Sequence, residues 1–148
     1  TYGNMMEGDV YGVEVWGQYR VADWWRLAAG FNLQHEALRF KPGSSALGGI
    51  AGAGDDPNHQ ASLRSTVDLS PSVTWEADLR YVGRLPDPVI PGYAELNTRL
   101  AWNVSRSLEL SITGFNLLHA HHLEYEEAGA TIGDEVDRSF FVDTRWRF

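Results

Sequence analysis

The feature that most constrains this chain is a strict two-residue alternation, repeated in seven stretches. In an extended strand successive side chains point to opposite faces. From about 10 to 21, Val13, Val15, Gly17, Tyr19 and Val21 fall on one face. Glu14, Trp16, Gln18 and Arg20 fall on the other. The same split recurs at about 26–40, 59–70, 73–83, 93–103, 107–118 and 139–148. The apolar face of each stretch, Leu27 to Leu33 in the second, holds no Asp, Glu, Lys or Arg. The opposite face carries Arg64, Glu76, Asp78, Arg80, Glu95, Arg99 and Glu109, among others. Most stretches are 10 to 12 residues long. Strands of soluble proteins average about 5–6 residues, whereas a tilted strand needs roughly 9–11 to cross a bilayer. The expected fold is therefore all-β, an antiparallel up-and-down meander of about seven long strands.

The connections support a membrane barrel. Short ones fall at Ala22–Trp25, near Pro71-Ser72 and at Val104–Ser107. Long ones fall at Lys41–Asn58, Arg84–Gly92 and His119–Arg138. Outer-membrane barrels have short periplasmic turns and long extracellular loops. Trp24, Trp25, Trp75, Trp102 and Trp146 lie near the short-turn ends, joined by Tyr19 and Phe148, while Tyr81 and Phe140 lie at the other end. Aromatic rings with a polar edge favour the membrane interface. Tyr19, Trp75, Trp102 and Tyr81 are thus expected in two girdles. No apolar run approaches the ~18 residues of a membrane helix.

Charge and composition narrow the partners. Twelve Lys and Arg stand against twenty Asp and Glu, for a net charge of −8. That argues against nucleic acid, which requires a basic surface. The absence of cysteine removes disulfides and thiolate metal sites. The chain starts at Thr1 with neither Met nor a signal peptide, so it is expected to be part of a longer polypeptide.

Four groups of residues are candidates for chemistry. His119, His121 and His122 stand close to Glu124, Glu126 and Glu127, a composition able to bind a transition metal. A solvated loop is the simpler reading, and no tight metal site is expected. Asp55 and Asp56 before Pro57 suit calcium, but such a run more often forms a turn. The small residues between Lys41 and Pro57 read as a mobile loop. The charged-face carboxylates have arginines on neighbouring strands, so cross-strand ion pairs account for them. No nucleophile–base–orienter set emerges from spacing. No enzymatic activity and no cofactor are expected.

Five motifs together resemble the late barrel strands of TonB-dependent outer-membrane receptors. They are Gly3–Glu14, Asp55–Ser65, Leu79–Gly83, Pro91–Asn97 and Gly114-Phe115-Asn116-Leu117-Leu118. An Asn-Leu pair, a loop, then Arg138-Ser139 opening an aromatic-terminated strand is similar to the close of that family's barrel. The resemblance covers essentially the whole chain. It implies an open segment of a barrel of about 22 strands enclosing a folded plug. It also implies uptake of a scarce nutrient, such as a ferric siderophore, across the outer membrane of a Gram-negative bacterium. Energy would come from the inner-membrane TonB complex acting through the plug. The implied partners are outer-membrane lipid, the remaining strands and plug of the same receptor, and a small-molecule or metal-chelate substrate. In this family the last strand carries an assembly signal, whose positions here are Phe140, Val142, Trp146 and Phe148. The seven charged residues named above would face the lumen. Two other readings remain: a small passive or structural barrel lacking an amino-terminal strand, and a soluble β-sandwich binding module.

Overall fold

The computed structural model describes residues 4–44, 56–85, 89–125 and 134–148; the side chains of 122–125 and of 134 are outside it. Among these residues there is no helix. Strands β1 (Met6–Ala22), β2 (Trp25–Phe40), β3 (His59–Ser70), β4 (Val73–Val82), β5 (Tyr93–Asn103), β6 (Leu108–Phe115) and β9 (Ser139–Trp146) form one antiparallel sheet. Its order is β1-β2-β3-β4-β5-β6-β9. Two short strands, β7 (His121–Tyr125) and β8 (Asp134–Asp137), pair separately as a hairpin between β6 and β9. The fold is thus an all-β meander of seven long strands with an additional hairpin.

The register joins seven local patterns into one surface. Residues directly opposite in an antiparallel pair point to the same side. Val15 pairs with Phe31, Phe31 with Ala61, Ala61 with Tyr81 and Tyr81 with Ala94. Further along, Leu63 pairs with Leu79 and Leu79 with Leu96, while Leu100 pairs with Ile112 and Ile112 with Val142. Each of the six pairings matches apolar face to apolar face. A slip of one residue at any of them would have set an apolar row against a charged one.

Among the described residues no interior core forms behind this face. Among the described residues the buried apolar side chains are Val82, Ile90 and Ala101. Leu33, Leu63, Leu79, Leu100, Ile112, Phe140 and Val142 are all exposed. A contiguous apolar surface of this kind marks a site that meets lipid or another protein.

Three boundaries differ from the sequence expectation. The first strand begins at Met6, not near 10, and pairs with β2 up to Phe40. In this extension the apolar frame turns polar. Glu7 forms an ion pair with Arg39 at 2.9 Å, and the Tyr11 ring lies 5.0 Å from that of His35. The apolar alternation fades there, although the strand continues. The sixth strand stops at Phe115 instead of running to 118, because Asn116 adopts a left-handed conformation with φ 55°. The connection expected as an uninterrupted loop at 119–138 contains the β7–β8 hairpin. The glycine-rich stretch at 45–55, with Asp55, lies outside the described residues, as do Glu126 and Glu127.

Two polar residues on the apolar face, Ser65 and Thr98, have a specific role. The Trp25 indole N–H donates to Ser65 Oγ at 3.0 Å. The Trp75 indole N–H donates to Thr98 Oγ1 at 2.7 Å. The Thr98 hydroxyl in turn donates to the Glu76 carbonyl at 2.8 Å. In both cases the hydroxyl sits diagonally across from the tryptophan on the next strand. In an apolar surrounding an unsatisfied N–H is costly, so each hydroxyl lets an indole point along the sheet without losing a partner. Thr98→Val is expected to destabilise the folded sheet in lipid by about 1–3 kcal/mol. Adding Trp75→Phe removes the orphaned donor, so the double variant should lose less than the sum of the two. Urea unfolding in lipid vesicles across this double-mutant cycle reads the coupling, and simple additivity would exclude it.

Candidate functional site

The face opposite the apolar one carries the charge, organised in rows across the sheet. One row runs Gln18, Ala28, Arg64, Asp78, Asn97. The next, toward the short turns, runs Arg20, Arg26, Thr66, Glu76, Arg99, Thr113. The row on the other side runs Trp16, Gly30, Ser62, Arg80, Glu95. The register therefore brings Arg64, Glu76, Asp78, Arg80, Glu95, Arg99 and Glu109 onto this one face.

Most of these charges are paired. Arg26 grips Asp68 with both terminal nitrogens, at 2.8 and 3.1 Å, and the Thr74 hydroxyl donates to the same carboxylate at 3.1 Å. Arg64 meets Asp78 at 2.7 Å. Arg99 bridges Glu76 at 3.5 Å and Glu109 at 2.7 Å. Glu109 also has Arg145 at 3.5 Å and Arg147 at 3.7 Å, which ties β9 to β5 through one carboxylate on β6. Exposed pairs of this type contribute about 0–1 kcal/mol each. They also favour the observed register, since a slip that set Arg64 opposite Arg80 or Glu109 opposite Asp143 would bring like charges together.

The other end of this face, near the long connections, is built differently. Glu95 is the most deeply buried side chain among the described residues, with 1 % exposure. One of its oxygens lies 2.5 Å from Nδ1 of His119, and the other accepts the Leu118 backbone N–H at 3.2 Å. Two residues along β5, Asn97 Oδ1 accepts the Asn116 N–H at 3.0 Å. Between them, the Leu96 carbonyl accepts the Leu117 N–H at 2.9 Å. Three successive residues of β5 thus hold four successive residues after β6. The register sets Arg80 opposite Glu95, and Arg80 also lies 5.6 Å over the Tyr93 ring.

The Gly-Phe-Asn-Leu sequence explains this local path. Asn is among the few residues that occupy the left-handed region at low cost, and Asn116 does so. At Gly114 a Cβ would lie 3.0 Å from Leu117 and 3.1 Å from Phe140, so a bare backbone leaves room for both side chains.

The remaining predicted residues are placed as follows. Tyr19, Trp75, Trp102 and Tyr81 are all exposed on the apolar face. Phe140, Val142 and Trp146 lie on the same face, opposite Gly114, Ile112 and Leu108, and Phe148 lies beyond β9. The three clustered histidines diverge. His119 turns to Glu95, His121 lies in β7, and the side chain of His122 is outside the described residues. No group of three or more metal-ligating side chains occurs among the described residues. The Glu95–His119 contact was not legible in sequence, because 24 positions separate the partners and no spacing rule links them. Trp16 lies on the charged face, where the alternation places it, 76 % exposed opposite Gly30.

This architecture, an open meander of long strands with one apolar and one charged face, is that of a membrane β-barrel segment. Solved structures make the class more specific. The ferric-catecholate import receptor Fiu from E. coli K12 matches with a TM-score of 0.75 and 19 % identity over 94 % of this chain. The siderophore receptor PiuA from Acinetobacter baumannii matches at 0.78 and 21 % over 99 %. The ferric yersiniabactin uptake receptor FyuA from Yersinia pestis matches at 0.75 and 19 % over 98 %. In fold, the chain is similar to a segment of the barrel of these receptors. It spans 21 %, 23 % and 24 % of the length of those three receptors. No protein-family model and no curated protein sequence matches it.

The left-handed Asn116 provides a direct test of the arrangement after β6. Asn116→Ala should cost about 1–2 kcal/mol and speed amide exchange at Leu117 and Leu118. Asn116→Gly should cost clearly less, because glycine occupies that conformation freely. Equal effects of the two changes would show that backbone conformation is not what holds the turn.

Proposed function

We propose that this chain is the carboxy-terminal part of the barrel of an outer-membrane receptor that actively imports a scarce nutrient, such as a ferric siderophore. The observation that supports this most is the single apolar face, continuous through six strand pairings, on a sheet that matches siderophore receptors over nearly its full extent. In this reading the apolar face meets outer-membrane lipid. Tyr19, Trp75 and Trp102 sit at the periplasmic interface and Tyr81 at the outer one. Arg64, Glu76, Asp78, Arg80, Glu95, Arg99 and Glu109 line the interior. The remaining strands pair with the edges of β1 and β9, and a plug domain couples the barrel to the TonB complex. Phe148, Trp146, Val142 and Phe140 present the assembly signal. The neighbours are receptors rather than enzymes, in line with a charged face organised as ion pairs.

The reading has two parts that separate experimentally. For facing, Leu63→Arg places a charge on the apolar side, while Ser62→Arg places it on the charged side. In the full-length protein folded into vesicles, Leu63→Arg should cost roughly 2–4 kcal/mol near the bilayer midplane, and Ser62→Arg much less. Equal tolerance would reject the assigned facing. For transport, deletion of the protein from an iron-starved cell should abolish uptake of a radiolabelled ferric chelate that the parent strain imports. Collapse of the proton-motive force should do the same. Uptake that survives such collapse would instead support a passive barrel.

A further inference from the structure

We draw no further inference here: the strongest candidate, the polar cavity of about 290 Å³ that His35, Glu36, His59 and Arg84 line at the long-connection end of β2 and β3, is also lined by Asp56 at the limit of the described residues, and nothing in the structure shows what fills it.

Discussion

Everything in this sheet depends on one geometric fact: side chains opposite each other in an antiparallel ladder share a side. Given it, a single continuous apolar surface requires that all six registers be right at once. Several devices act on that requirement together. Two-residue turns fix β1 against β2 and β3 against β4. Leu, Ala and aromatic pairs favour one register on the apolar side, and the Arg–carboxylate pairs favour the same register on the other. Glu109 meets Arg99 on β5, Arg145 on β9 and Arg147 just beyond it, so one carboxylate links the strands at this end of the sheet. None of these contacts is strong alone. Their agreement is what selects the fold.

The same geometry explains why the described residues form no conventional core. A soluble sandwich would fold the apolar faces of two sheets against each other. Here one sheet keeps its large apolar residues outward and buries a glutamate more deeply than any leucine. Such a surface is stable where the surroundings are themselves apolar. The Trp25–Ser65 and Trp75–Thr98 pairs suit that setting, because they remove N–H groups that water would otherwise satisfy. Among the described residues β1 and β9 remain the open edges of the sheet. Open edges are not tolerated in hydrocarbon, where every backbone group needs a partner.

Much of this was legible in the sequence because period-two alternation is a local signal. Val13, Val15, Leu27, Leu63, Leu79 and Ile112 declare their face without reference to any other strand. The placement of the seven strands and the alternation of short and long connections followed from such residues. What escaped was the non-local detail. Alternation weakens where a strand leaves the apolar zone, so Met6–Asp9 was missed. A hairpin as short as β7–β8 has too few residues to display a period. The contact between Glu95 and His119, and the caps that Asn97 and Glu95 supply after β6, depend on the three-dimensional return of the chain over β5. Ser65 and Thr98 read only as imperfections in an apolar face until the indole partners were seen.

The stitching of residues 116–119 to β5 has a consequence for how this region tolerates change. Asn97, Leu96 and Glu95 anchor the chain just as it leaves the sheet, and β9 resumes pairing at Ser139. Among the described residues, none between those two fixed points takes part in the six registers that define the sheet. The anchor therefore works as a socket. It separates the connection that carries β7 and β8 from the wall beneath it.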